Sequence, residues 1–315
     1  MEIKNVAVFG AGAIGSMIAD KLEKKYGADF YLMCSNPVLK KPLVEDGLHV
    51  NGRAFHPFVI GSRQECPEKL DLLLVTVKNF HLPSSIEDMK QIIDSHTIIL
   101  PILNGVYAFN TLTKEFPNNT VLCGIMVKTD THPVGGNKTV YTTTGEIQVG
   151  EGKPEDHEKA NAVVSFFKAA DLNSNYYKDI RTMQFRKWML NIGVNQVSAL
   201  TGANFGEFQE IPEIFDVMRR LMEEVKEVAN AEQIPLTDQD IEDLIAFTQK
   251  YPADKETSML QDIKAERPTE INYFAGDVLY YGQKHHIATP YNQAMFDLIT
   301  AKQAVYLGRK KANRK

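Results

Sequence analysis

The run Val6, Ala7, Val8, Phe9 followed by Gly10, Ala11, Gly12, Ala13, Ile14 and Gly15 constrains this chain more than any other feature. Four consecutive apolar residues suit a strand buried on both faces, as in a parallel sheet covered by helices. The glycines then fall in the spacing G-x-G-x-x-G, and a helical stretch, SMIADKLEKKYG, opens at Ser16 and is expected to close at Gly27. The first glycine permits a tight turn. The second removes a Cβ where a pyrophosphate approaches the backbone. The third lets helix and strand pack closely, and the helix N-terminus favours the phosphates. The motif alone is a weak signal. With a strand before it, a helix after it and an alternating pattern behind it, it predicts a dinucleotide-phosphate cradle; the bland alternative is a glycine turn without ligand.

The first half of the chain supplies that pattern. Apolar strand candidates fall at residues 4–9, 30–34, 72–76, 97–101, 121–127, 139–143 and 146–149, separated by helical stretches. This alternation predicts an α/β fold with a doubly wound sheet, a Rossmann-type dinucleotide-binding domain over residues 1–172. The Thr- and Gly-rich segment 129–150 reads as added antiparallel strands. From about residue 155 the chain turns helical, with segments at 180–203, 214–231, 241–250, 259–265, 270–285 and 291–308. In 214–231 the apolar residues Ile214, Val217, Met218, Leu221, Met222, Val225, Val228 and Ala229 recur at three- and four-residue spacing, an amphipathic helix. An all-α catalytic and substrate domain is therefore expected over 173–315, with the site in the cleft between the two domains.

Composition excludes several classes. At 315 residues, 43% hydrophobic and 24% charged, the chain can build two ordinary cores. A net charge of −5 gives no case for nucleic acid or an anionic membrane, and the basic tail RKKANRK reads as a solvated end. Three cysteines, Cys34, Cys66 and Cys123, without C-x-x-C spacing fit a reducing cytoplasm. No secretory signal and no apolar run long enough to span a membrane is visible. No metal is expected, since His285 and His286 lack a third ligand at plausible spacing.

The second strand bears on the choice of dinucleotide. NAD sites commonly end that strand with an acid that accepts from the ribose 2′-hydroxyl. Here Cys34, Ser35 and Asn36 hold that place, with neither acid nor arginine. Ser35 and Asn36 are candidates to bond a 2′-phosphate, with Lys40 or Lys41 supplying charge, so NADP(H) is favoured over NAD(H).

In the second half, Lys187, Asn191 and Asn195 recur every four residues in KWMLNIGVN. On a helix this spacing makes one slowly turning polar stripe. Trp188, Met189, Leu190, Ile192 and Val194 surround it, and a desolvated lysine has its pKa lowered toward the working range of a proton donor. The plain alternative is a solvent-facing lysine with two surface asparagines.

At this point the sequence resembles the ketopantoate reductases, the 2-dehydropantoate 2-reductases of pantothenate synthesis. The resemblance covers nearly the whole chain. It rests on the glycine motif, on Val77-Lys78 after a strand, on Asn104-Gly105 in PILNGV, on the Lys187, Asn191, Asn195 helix, and on SMLQD from Ser258 through the RPTEI segment that contains Glu270. The resemblance implies NADPH-dependent reduction of a 2-oxo acid, with Lys187 giving a proton to the oxygen. It implies that Asn104 positions the nicotinamide or Lys187. Asn191, Asn195 and Ser258 would bind the substrate, Glu270 would accept from a hydroxyl or from Lys187, and Lys78 would lie along the cofactor. Each residue has a plain reading as well: Asn104-Gly105 as a common turn, Ser258 as a helix cap, Glu270 as a first-turn acid, Lys78 as a solvated strand end.

Two departures keep alternatives open. Ser35 stands where many members carry an arginine against the 2′-phosphate. Relatives also include NAD-dependent 2-hydroxyacid dehydrogenases for branched or aromatic 2-oxo acids, and Trp188, Phe205 and Phe208 are bulky residues near the acid. Three functions are carried: ketopantoate reduction, reduction of another 2-oxo acid, and dinucleotide binding without catalysis. A homodimer through Phe205, Phe208, Ile211, Ile214 and Phe215 is weighed against a monomer.

Overall fold

A computed structural model of the chain describes residues 2–27, 29–66 and 69–312. It divides into two compact units, Met1–Asn104 with Ala108–Ile180, and Gly105–Tyr107 with Arg181–Lys315.

The first unit carries the strands. They are β1 (Val6–Phe9), β2 (Tyr31–Met33), β3 (Leu48–Val50), β4 (Arg53–Phe55), β5 (Phe58–Ile60), β6 (Leu72–Val75), β7 (Ile98–Pro101), β8 (Cys123–Val127), β9 (Asp130–Gly135), β10 (Lys138–Thr143), β11 (Glu146–Gly150) and β12 (Ser174–Tyr176). Five of them form a parallel sheet in the order β5-β2-β1-β6-β7. Every residue of β1, β6 and β7 is buried, which is why these stretches are apolar without alternation. The chain leaves β1 toward β2 and returns on the other side to β6, so the strand order reverses at β1, where such sheets bind ligands. The helix α1 (Ala13–Tyr26) follows β1 and ends at Gly27, as expected. Helices α2 (Pro37–Glu45), α3 (Leu82–Ile92), α4 (Tyr107–Glu115) and α5 (His157–Ala169) come next.

Two smaller sheets complete the first unit, β4-β3-β10-β9 and β12-β11-β8. The antiparallel strands expected in 129–150 are present, but they serve two different sheets: β9 pairs with β10, and β11 with β8. The strand expected from residue 121 starts at Cys123, because Val121 makes only a bridge to Ile99. The β3–β4 hairpin turns at Asn51 and Gly52, both at positive φ, a sequence signal for a tight hairpin.

The second unit is helical: α6 (Ile180–Thr201), α7 (Phe205–Glu210), α8 (Pro212–Ala231), α9 (Asp238–Gln249), α10 (Ser258–Lys264), α11 (Ala275–His285) and α12 (Pro290–Ala312). With the parallel sheet of the first unit, this is the α/β fold class expected from the sequence. The helix α8 buries Ile214, Met218, Leu221, Met222, Val225, Val228 and Ala229 on one face, and Val217 of the same periodic set stays exposed. α6 crosses it closely. A Cβ on Gly193 would stand 2.6 Å from Met222 Cε and 2.9 Å from Met218 Cγ.

The residues considered for a dimer surface mostly serve this core. Phe208 and Ile214 are buried in it, Phe205 and Phe215 pack against it, and of the five only Ile211 is exposed, at 39%. Their hydrophobicity comes from intrachain packing. The histidine pair is likewise structural: His285 contacts Glu232, and His286 ends α11 in the left-handed conformation. The basic tail lies partly outside the described residues. Among the described residues no helix is long and apolar enough to cross a membrane.

Candidate active site

The first unit supplies a cradle. Gly10 takes φ +112°, and a Cβ there would lie 2.9 Å from the Val77 amide nitrogen. A Cβ on Gly15 would stand 1.8 Å from the Gly10 carbonyl oxygen and 2.5 Å from Thr76 Oγ1, so the first turn of α1 presses on the loop. Gly12 differs: nothing lies within 4 Å of its missing Cβ, and no side chain caps α1 there. Two glycines thus serve packing and one leaves open space before uncapped helix amides. These are the features that fit the pyrophosphate of a dinucleotide. Ala11, Ala13 and Ile14 complete the loop, and Ser16 Oγ ties it by donating to the Ala11 carbonyl at 3.1 Å.

Two residues that sequence reading passed over hold the rim. Thr76 Oγ1 contacts the carbonyl oxygens of Phe9 at 3.1 Å and Gly10 at 2.9 Å, which binds the end of β6 to the glycine loop. Asn79, fully buried, donates from Nδ2 to the Asn104 carbonyl at 2.9 Å and so joins the ends of β6 and β7. Lys78 is exposed one residue before Asn79. The sequence carried only the asparagine directly after a strand-end lysine as a signal for this link.

The residues expected at a 2′-phosphate are otherwise engaged. Asn36 caps α2, its Oδ1 accepting from the amides of Val38 at 2.9 Å and Leu39 at 3.4 Å. Lys40 Nζ donates to both Glu65 carboxylate oxygens, at 2.6 and 2.5 Å. Lys41 Nζ lies 3.8 Å from the Glu45 carboxylate. Ser35 is half-buried beside them.

In the second unit, α6 carries Lys187, Asn191 and Asn195. Asn195, 7% exposed, is a hub: its Oδ1 accepts from Ser258 Oγ at 3.2 Å and from the Met259 amide at 3.3 Å. Its Nδ2 donates to Asn191 Oδ1 at 3.2 Å. That fixes the orientation of Asn191 and leaves Asn191 Nδ2 as a buried donor without a protein acceptor. A donor left so is costly unless a ligand accepts from it. Ser258 is not the cap of α10. Thr257 is, its side chain accepting from the Leu260 amide, so the Ser258 hydroxyl is turned to Asn195.

Lys187 lies one turn before Asn191. Desolvation pushes its ammonium down from 10.5 to about 8, while the Glu270 carboxylate pulls it upward. Glu270 is 5% exposed and precedes the short turn Ile271–Tyr273. A buried carboxylate that interacts with Lys187 is not a solvated first-turn acid. Trp188 faces the core, fully buried against Phe185 and Tyr281, with Nε1 donating to the Tyr273 carbonyl at 3.3 Å. Gln184 Nε2 donates to the Gly105 carbonyl at 3.1 Å. Among the described residues no cluster of His, Cys, Asp and Glu is placed to hold a metal.

The family model for Ketopantoate reductase PanE/ApbA matches residues 6–154, and that for its C-terminal part matches 179–303. The chain belongs to the ketopantoate reductase family. A 2-dehydropantoate 2-reductase of Lactococcus lactis is 27% identical, over 95% of this chain and 97% of its own. Among solved structures, D-mandelate dehydrogenase with NADH and anilino(oxo)acetate superposes with a TM-score of 0.87 at 23% identity, covering 96% of this chain and 99% of that one. The 2-dehydropantoate 2-reductase of Methylococcus capsulatus gives 0.82 at 22% identity, covering 96% and 97%. As a member of the ketopantoate reductase family, the chain is an NAD(P)-dependent oxidoreductase acting on a 2-oxo acid.

Proposed function

We propose that this ketopantoate reductase family member reduces 2-dehydropantoate to pantoate, with Lys187 as proton donor. The observation that carries the reading is the polar stripe of α6: an ammonium poised near 8 and, one turn on, a buried amide donor that no protein group accepts from. The bound nicotinamide supplies hydride to the ketone carbon. Negative charge then develops on the ketone oxygen, and Lys187 delivers a proton to it. A desolvated ammonium acts more strongly on that developing charge than on the neutral ketone. Glu270 keeps Lys187 charged in a desolvated place. Asn191 Nδ2 donates to a substrate oxygen, held in position by Asn195 and through it by Ser258. Asn104, whose carbonyl accepts from Asn79, and Lys78 would be the residues that hold the dinucleotide beyond the glycine loop.

A second reading is reduction of a bulkier 2-oxo acid, in the manner of the D-mandelate dehydrogenase that shares this fold. The placement of Trp188 in the core speaks against a pocket lined by that indole. Oxidation of NADH and of NADPH, followed by absorbance with 2-dehydropantoate and with branched and aromatic 2-oxo acids, separates the two. Ketopantoate reduction predicts the highest kcat/KM on 2-dehydropantoate. Turnover confined to the aromatic acids would reject it. Use of NADPH was favoured from sequence because Lys40 and Lys41 offered charge to a 2′-phosphate; the partners of these lysines bear directly on that preference.

A further inference from the structure

No acid stands at Cys34, Ser35 or Asn36, where the second strand of an NAD site commonly ends in one. In space an acid arrives there from elsewhere in the chain. β5 runs parallel to β2 with Ile60 level with Met33, and the Cys34 amide donates to the Ile60 carbonyl at 2.8 Å. Gly61 therefore follows β5 at the level where Cys34 follows β2. A Cβ on Gly61 would lie 3.1 Å from the Cys34 carbonyl oxygen and 3.2 Å from Lys40 Nζ. Into this corner the turn Arg63–Glu65 folds back the Glu65 side chain. Its Oε2 accepts from the Gly61 amide at 2.5 Å, and both of its oxygens accept from Lys40 Nζ.

We propose that Glu65 sets the dinucleotide preference of this site, in favour of the form with a free ribose 2′-hydroxyl over the form with a 2′-phosphate. The inference rests on the dinucleotide reading of the glycine loop. Two effects act in the same direction. A carboxylate accepts a hydrogen bond from a hydroxyl but repels a phosphate dianion. It also holds the lysine that a 2′-phosphate at this strand end would need. Lys40, the Gly61 amide and the Ser62 amide keep the Glu65 carboxyl below the ordinary carboxylate range, so it is ionised at neutral pH. Lys41 does not replace Lys40, since its side chain is largely exposed and leans toward Glu45. The lean toward NADP(H) drawn from sequence is thereby reversed: the cations are present, and the chain supplies its own anion to the nearer one.

The test is a binding titration in the absence of 2-oxo acid, using the fluorescence of NADH and of NADPH, on the wild-type chain, on Glu65→Gln, and on Glu65→Gln with Lys40→Met. Wild type is expected to bind NADH at least about tenfold more tightly than NADPH, the scale of one hydrogen bond to a charged group. Glu65→Gln keeps an acceptor for the Gly61 amide and frees Lys40. It is expected to tighten NADPH by about tenfold or more and to weaken NADH severalfold. Lys40→Met in that background removes the gain. Thermal midpoints of the variants check that the turn still folds; Glu65 is 43% exposed, and little change is expected. Tighter binding of NADPH by the wild type overturns the proposal. So does a ratio that moves less than about twofold in Glu65→Gln while both nucleotides bind. Binding of neither nucleotide by wild type overturns it together with the dinucleotide reading on which it stands.

Discussion

Replacing Lys187 with methionine is expected to lower turnover by orders of magnitude and at the same time to stabilise the helical unit. The two outcomes have one cause. The ammonium sits where protein atoms displace water, and its pKa falls from 10.5 to about 8 even with Glu270 pulling it upward. At about 1.4 kcal/mol per tenfold change, that fall places about 3 kcal/mol of penalty on the charged form in the folded state. The pull of Glu270 is already contained in the net value, so methionine, of similar length and uncharged, removes the whole penalty apart from small packing differences. The sign with pH follows from linkage. Between pH 8 and 10.5 the unfolded chain holds the lysine proton and the folded chain has lost it. Wild-type stability therefore rises with pH across this window, and the penalty is at full strength below it. Denaturant unfolding at pH 7 should show Lys187→Met more stable by up to about 3 kcal/mol, and the gap should close toward pH 10. Turnover should fall by about two to four orders of magnitude, the usual worth of a positioned proton donor. A methionine variant less stable than wild type at pH 7, or a gap that does not change with pH, would refute the reasoning, because an ordinary solvated lysine gives neither effect.

The same acid predicts the pH–rate profile. The kcat/KM for reduction should fall about tenfold per pH unit above about 8, and Glu270→Gln should move that limb to lower pH, since Glu270 raises the Lys187 pKa; an unmoved limb would remove Glu270 from this role. The glycines of the loop should separate stability from binding. Gly15→Ala, with 1.8 Å to the Gly10 oxygen, should cost about 3 kcal/mol or more in stability, whereas Gly12→Ala should leave the thermal midpoint unchanged and weaken the dinucleotide at least about tenfold. Asn191→Ala should lower kcat/KM for the 2-oxo acid by about ten- to a hundredfold and leave nucleotide affinity as it is, checked by steady-state kinetics beside a nucleotide titration.

Much of this protein was legible in its sequence because the signals were local. The apolar run before G-x-G-x-x-G, the helix behind it and the four-residue rhythm of Lys187, Asn191 and Asn195 depend on strand and helix geometry alone. The α/β fold class follows from them, and the family resemblance rests on them together with Val77-Lys78, Asn104-Gly105 and the segment from Ser258 to Glu270. What tertiary structure decided is which of several chemically equivalent partners each group meets. Sequence left Ser258 open between a helix cap and a substrate-binding residue; the fold uses Thr257 as the cap and turns Ser258 to Asn195. Sequence left Glu270 open between a solvated acid and a partner of Lys187; burial 83 residues along the chain made it the partner. Phe208 and Ile214 looked sticky enough for an interface and were taken by their own core. At the end of β2 sequence found lysines and no acid, and the parallel pairing of β5 brought Glu65 to Lys40 from 25 residues away. Hydrophobic periodicity is written along the chain, whereas charge pairing depends on distances that exist only once the strands are side by side.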